Sequence, residues 1–298
     1  MRILISGASG LIGRGLTSRL VSAGDTVRTL VRRKPEESKG EIRWDPDAGV
    51  LDSSRLDGLD AVVHLAGKPI DSRWTEATKK AIRDSRVRGT KLIAEVVSRL
   101  PTRPKVFISA SAVGFYGSRG DEVLDETSAS GTGFLADVCR QWEEAGAAAR
   151  DAGIRTVQLR SGLVLSRKGG MLARVLSPFK MGAGGVVGTG RQWMSWISLE
   201  DATAAIQYAI SAAELSGPVN VTAPQPVCNA EFTRTLGKVI GRPTLVPLPA
   251  FAVSLLLGEL GDELLLAGQK VLPRKLLAAG FRFAHSDLES ALRWALTH

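Results

Sequence analysis

The chain is poor in the side chains that build covalent or metal-bound scaffolds. It has two cysteines, Cys139 and Cys228, which form no C-x-x-C pair, and three histidines, His64, His285 and His298. That argues against a disulfide framework and against a zinc site. No apolar run approaches the roughly 20 residues of a membrane-spanning helix; the longest in the C-terminal third, LPAFAVSLLLG from Leu248 to Gly258, is broken by proline and glycine. The first residues lack the apolar core and small-residue cleavage site of a secretory signal, so a cytoplasmic protein without membrane association is expected. Tyrosine is nearly absent as well. Four residues beyond Tyr116 and Tyr208 stand Gly120 and Ala212, and no lysine lies between Lys105 and Lys168. A Tyr-x-x-x-Lys pair is therefore excluded throughout the chain.

The 298 residues, 44% of them hydrophobic, suffice for one large α/β domain or a domain with a smaller lobe. The formal charge is +9, but basic residues are interleaved with carboxylates and no aromatic-basic pattern accompanies them. The excess reads as a solvated basic surface with a local anion site, and a nucleic-acid partner is not expected.

Short apolar runs alternate with longer helical patterns: RILIS, a helix over 11–23, TVRTLV, EIRW, AVVHLA, a helix over 75–100, KVFISAS, a helix over 133–152, and RTVQLRS. Strands apolar on both faces and separated by helices predict a parallel sheet covered on both sides, a doubly wound fold. After Ser161 the pattern loosens into a glycine-rich stretch. Ser198 then opens a helix with Asp201 in a capping-box arrangement, and further helices follow Asn229 and Ser286, the last with Glu289 as box partner. The expected organisation is a dinucleotide-binding domain over 1–161 and a smaller, mostly helical substrate lobe over 162–298, interleaved with the last strands of the first domain.

In ISGASGLIG the glycines fall at 7, 10 and 13 between a strand and a helix. Gly7 permits the tight turn, Gly10 lets backbone approach a diphosphate, and Gly13 allows close helix–strand packing. Ser9, Leu11 and Ile12 add their positions to a helix N-terminus suited to an anion. The next strand ends in Arg32 and Arg33, where a carboxylate would favour a free ribose 2′-hydroxyl. A guanidinium there grips a 2′-phosphate, which predicts NADP(H), with Arg32 the first candidate and Arg33 the second. Leu65, Ala66 and Gly67 end a buried strand with small residues beside the adenosine path, and His64 reads as a packed core histidine.

Taken together, GASGLIG, DAVVHLAG, SRVRGTKLI and FISASAVGFYG resemble the extended short-chain dehydrogenase/reductase family, which includes sugar-nucleotide epimerases and dehydratases. RSGLVLSRKGG, PFKMGAGGVVGTGRQWMSWISLEDA and LLAGQKVLPRKLLAAGFRF resemble one atypical branch, labelled NAD-dependent epimerase/dehydratase family protein, whose substrate is unassigned and some of whose members are named cell-division inhibitors. The resemblance spans essentially the whole chain. It implies a Rossmann sheet carrying NADP(H), a C-terminal lobe receiving a small-molecule substrate, and catalysis by a Ser or Thr with a Tyr-x-x-x-Lys pair. Ser111 matches the hydroxyl position, with Ser109 as alternative. Phe134 or Leu135 falls at the tyrosine slot and Val138 or Cys139 at the lysine slot, so the pair is missing where the family needs it.

If redox chemistry persists, another group must move the proton. Tyr116 is the first substitute, with a packing or substrate-wall role as its other reading; Asp137, Cys139 and Glu143 share the following helix, with Glu143 more simply a surface or capping partner. By resemblance Arg191, Trp193 and Trp196 line a substrate pocket, although core tryptophans fit the pattern equally. Gly169, Gly170 and the GAGG turn suit a mobile edge or a plain loop. A homodimer through the helices over 75–100 and 133–152 is likewise an expectation of the resemblance alone. Two functions remain: an atypical NADP(H)-dependent oxidoreductase or epimerase, slightly preferred, and a non-catalytic NADPH-binding module.

Overall fold

The structure, a computed structural model, describes all 298 residues, Met1–His298. In chain order its elements are β1 (Arg2–Ser6), α1 (Leu11–Ser22), β2 (Thr26–Val31), β3 (Glu41–Asp45), β4 (Val50–Leu51), β5 (Ala61–His64), α2 (Glu76–Ser98), β6 (Val106–Ala112) and β7 (Val123–Leu124). There follow α3 (Phe134–Glu144), α4 (Ala147–Asp151), β8 (Arg155–Ser161), β9 (Leu163–Leu165), α5 (Gly170–Lys180), β10 (Trp193–Met194), β11 (Trp196–Ser198), α6 (Leu199–Ser211) and β12 (Gly217–Val221). The last are β13 (Val227–Cys228), α7 (Asn229–Ile240), α8 (Ala250–Leu257), α9 (Glu259–Gly261), β14 (Lys270–Val271), α10 (Arg274–Ala278) and α11 (Leu288–Thr297).

The chain forms two compact units. The first comprises 1–111, 138–159 and 203–219; the second comprises 112–137, 160–202 and 220–298. A boundary at 161 follows chain order, whereas compactness follows a chain that passes between the units repeatedly. Residues 112–137 join the second unit and 203–219 the first, so the units are nearly equal in size.

The first unit is built on an eight-stranded sheet of order β12-β8-β6-β5-β1-β2-β3-β4. β1 pairs in parallel with β2 and with β5, and β5 in parallel with β6; Ser6 stands beside His64 and His64 beside Ser109. Chain order runs outward from β1 through β2 and β3, then resumes on its other side at β5. This switch point is where open α/β sheets bind ligands, at the carboxyl ends of the strands. The turn from Asp45 to Val50 adds an antiparallel strand, β4, beyond the expected parallel set. Leu4, Leu30, Trp44, Val62, Ile93 and Phe107 form one buried core, sealed by α2 and α4. α2 starts where expected because Thr75 accepts a hydrogen bond from Thr78 N–H at 3.2 Å. The helix expected over 133–152 is broken between α3 and α4, with Gly146 capping the latter.

The second unit has a separate core of Leu172, Phe179, Trp196, Phe232, Leu236 and Leu292, with short two-stranded sheets and helices around it. The box at Ser198 is formed: its Oγ accepts from Asp201 N–H and donates to the Asp201 carboxylate, both at 2.9 Å. At α11 the cap is Asp287 rather than Ser286. Asp287 accepts from Ser290 N–H at 2.9 Å, three residues on, because the helix begins one position later than the serine would require.

Candidate functional site

β1 ends at Ser6 and the chain turns at Gly7 with φ of 72°, a left-handed conformation that glycine adopts without strain. A side chain there is blocked twice over, since a Cβ would lie 2.7 Å from the Ala66 nitrogen and the Leu65 carbonyl carbon. At Gly13 a Cβ would stand 2.2 Å from the Gly7 oxygen, so the helix crosses the turn at a distance only glycine allows. At Gly10 the missing side chain faces only that oxygen, at 3.3 Å. Gly10 caps α1 without a side-chain hydrogen bond, and the first turn carries no acid. The orphan amides of a helix start are thus left to an anion, flanked by exposed Ser9 and half-buried Leu11 and Ile12. The residues fit a dinucleotide diphosphate.

The two arginines after β2 differ in engagement. Arg33 is held by Glu41 at 2.6 Å and Glu36 at 3.5 Å and donates to the Lys34 carbonyl at 2.9 Å. The Glu36 N–H, reinforced by Arg33, holds the Glu41 carboxyl below its ordinary range. Arg32 is exposed and takes part in no hydrogen bond or ion pair.

At the end of β5, His64 is fully buried with Nδ1 2.5 Å from Ser6 Oγ, and Ser6 Oγ also accepts weakly from Ala66 N–H at 3.4 Å. Burial, assisted by nearby Arg86, lowers the imidazole pKa to about 3. His64 is therefore a neutral core group that braces the turn carrying Leu65, Ala66 and Gly67. Beside Gly67 lies Arg86 of α2, which donates to the Lys68 carbonyl at 2.9 Å and sits 4.9 Å over the Trp142 ring.

At the end of β6, on the edge of the sheet that carries the glycine turn, Ser111 is 4% exposed. Its Oγ donates to Glu143 Oε1 at 2.7 Å. Cys139, Trp142 and half-buried Glu143 lie at i, i+3 and i+4 and share a face of α3. Ser109 sits two residues inside the strand, 2% exposed and paired with His64, so Ser111 is the serine that reaches a titratable partner. The sequence placed Glu143 only beside Asp137 and Cys139 as a lesser substitute, with a surface or capping role as its simpler reading.

Within the second unit, Tyr116 is 0% exposed. Its hydroxyl donates to Asn220 Oδ1 at 2.7 Å and accepts from Arg160 at 3.0 Å, while the Arg160 guanidinium lies 3.4 Å over the Phe115 ring. Burial raises its pKa above the ordinary phenol value, with Arg160 pulling the other way. This geometry supports the packing role rather than proton transfer to a ligand. Trp196 is also a core residue, 0% exposed with Nε1 donating to the Gln225 carbonyl at 3.0 Å. Trp193 is half-buried, donates to Asp121 at 2.7 Å and carries Lys270 4.1 Å over its ring. Of the three expected pocket residues, Arg191 alone is exposed. Phe134 and Leu135, at the empty tyrosine slot, donate their N–H groups to Glu263 at 2.8 and 3.0 Å, so a carboxylate 129 residues away caps α3.

A parallel sheet with its switch point beside a glycine-cradled helix start defines a Rossmann-type dinucleotide-binding fold. The profile described as "NAD dependent epimerase/dehydratase family" matches residues 3–222, and a domain of unknown function, DUF1731, matches 248–295. The chain belongs to the NAD dependent epimerase/dehydratase family. An epimerase family protein from Mycobacterium tuberculosis is 47% identical over 296 residues, covering 99% of this chain and 97% of that protein. The crystal structure of the human epimerase family protein SDR39U1, isoform 2, with NADPH superposes with a TM-score of 0.90 at 34% identity, covering 100% of this chain and 99% of that one. A structure from Corynebacterium glutamicum described as a nucleoside-diphosphate sugar epimerase gives 0.83 at 41% identity, covering 99% of this chain and 58% of that one. No helix is long and apolar enough to cross a membrane.

Proposed function

We propose that the protein is an NADP(H)-dependent oxidoreductase or epimerase acting on a small polar substrate, with Ser111 and Glu143 doing the work that a Tyr-x-x-x-Lys pair does elsewhere in the family. The carrying observation is the 2.7 Å hydrogen bond from Ser111 Oγ to the Glu143 carboxylate at the ligand-binding edge of the sheet. The amides of the glycine turn and the first turn of α1 hold the diphosphate, and Arg32 grips the 2′-phosphate. NADPH in the human relative's structure supports this choice. The bound nicotinamide supplies two-electron redox capacity.

Ser111 donates to Glu143, which leaves its oxygen lone pairs free to accept from a substrate hydroxyl. As that hydroxyl is oxidised its proton passes to Ser111 Oγ while the serine's own proton passes to Glu143. Reduction of a carbonyl reverses both transfers. General acid–base assistance of this kind contributes about 10²–10⁴ in rate.

The test is incubation of the NADPH-loaded protein with a panel of carbonyl compounds and nucleotide sugars, followed at the nicotinamide absorbance band. Turnover lost in Ser111→Ala, with NADPH binding intact, supports the relay. Binding of NADPH with silence across the panel would instead make the protein a non-catalytic dinucleotide-binding module.

A further inference from the structure

The uncharged segment from Pro243 to Gly258 lies outside the site described above and outside its chemistry. Sixteen consecutive positions without a charge are ordinary in a core. Here most are exposed: Leu245 at 83%, Phe251 at 74%, Leu255 at 82% and Leu256 at 76%, joined by Val246 and by Met181 after α5. Hydrogen bonds from Val246 N–H to the Gly184 carbonyl and from Leu248 N–H to the Val186 carbonyl, at 3.2 and 2.8 Å, bring the segment beside the loop that follows Met181.

α8 is apolar at every position but Ser254, whose hydroxyl donates to Asp262 Oδ1 at 2.5 Å. At 100° per residue, Phe251, Leu255, Ala252 and Leu256 span an arc of about 140°, with Val253 opposite. Val253 is 1% exposed and meets Gly261, where a Cβ would stand 2.7 Å from Val253 Cγ1. A helix with so few polar positions is normally buried over most of its surface, yet the single chain leaves the arc from Phe251 to Leu256 open. At on the order of 100 Å² for each of these six large apolar side chains, the open patch presents roughly 600 Å². That stands at the upper end of the 300–600 Å² or so of a monomer's largest patch, which is often functional, and is about three-quarters of the ~800 Å² per partner of a stable interface.

We infer that this surface is covered by a second copy of the same chain, α8 packing against α8 across a two-fold axis. A symmetric contact sets each patch against itself, and an uncharged patch does so without facing like charges. Its borders differ in sign: exposed Arg242 precedes the segment and exposed Glu259 follows it. An antiparallel two-fold pairing sets the basic border of one copy towards the acidic border of the other. The mixed signs of these borders, Lys180 and Arg242 against Glu259 and Asp262, give an anionic lipid surface no uniformly basic rim to bind. The helices to which family resemblance assigns a dimer present charge instead, with Lys80, Arg88 and Lys91 exposed on α2 and Arg140, Glu144 and Arg150 on α3 and α4.

The experiment is sedimentation equilibrium or light scattering on the full chain at tens of micromolar, for the wild type, Leu255→Glu/Leu256→Glu and Lys91→Glu. The expected result is twice the chain mass for the wild type and Lys91→Glu, and the single-chain mass for the double variant. Both leucines are solvent-facing in the single chain, so circular dichroism of the double variant should match the wild type, while its melting should lose the concentration dependence of a dimer. A monomeric wild type, a dimer that survives the double substitution, or one abolished by Lys91→Glu overturns the inference. Co-sedimentation of a monomeric wild type with phosphatidylserine vesicles also overturns it, in favour of a lipid surface.

Discussion

Ser111 donates its hydroxyl proton to Glu143 at 2.7 Å, from the end of β6 to the last turn of α3. Replacing Glu143 with Gln keeps the size and a hydrogen-bonding oxygen but removes the proton acceptor. Turnover by Glu143→Gln is expected to fall about 10²–10⁴-fold, while NADPH affinity changes less than threefold. Stopped-flow and fluorescence titration on one preparation separate the two. Unchanged turnover in this variant would exclude the relay.

Tyr116 predicts the opposite pattern. Its hydroxyl sits between Arg160 and Asn220 with no exposure, so Tyr116→Phe leaves two buried polar groups short of a partner. The expected cost is about 1–3 kcal/mol of stability, read as a lower urea midpoint, with turnover within threefold of wild type. A loss of a hundredfold in rate without a change in stability would restore Tyr116 as a proton donor.

His64 makes stability depend on pH. Its folded pKa of about 3 lies below the ordinary histidine value, so between these pH values the unfolded chain binds a proton that the folded chain refuses. Stability is full above about pH 6.5 and falls as pH drops, by up to about 1.4 kcal/mol per unit. Carboxylates with lowered pKa values, such as Asp125 and Asp287, act only at the acid end of this range. Urea melts between pH 7 and 4.5 should show the slope in wild type and a much weaker one in His64→Gln. Equal slopes would mean that His64 charges freely in the native state.

The glycine turn was legible because its constraint is local: three glycines at fixed spacing between a strand and a helix state where backbone must approach backbone. The capping box at Ser198 and the start of α2 at Thr75 were legible for the same reason. The Ser111–Glu143 pair was not, since 32 residues separate its members and nothing on α3 distinguishes Glu143 from a solvated carboxylate until β6 is placed beside it. Glu263 capping α3 is the same case at longer range. Trp196 illustrates a converse limit: an aromatic beside a glycine-rich loop fits a pocket or a core, and only burial decides. Asp287 displaced Ser286 because adjacent capping residues are equivalent until the helix register is fixed.

Arg33 is occupied by Glu41 and Glu36, whereas Arg32 is exposed and engaged by nothing. Replacing Arg33 should therefore loosen the strand end more than it alters cofactor choice, and replacing Arg32 should do the reverse.

Calorimetric titration of NADPH and NADH into wild type and Arg32→Asp tests the central claim most directly. The account predicts that wild type binds NADPH at least tenfold more tightly than NADH and that Arg32→Asp abolishes the preference chiefly by weakening NADPH. Absence of heat with NADPH, or equal affinity for both dinucleotides in the wild type, would contradict it.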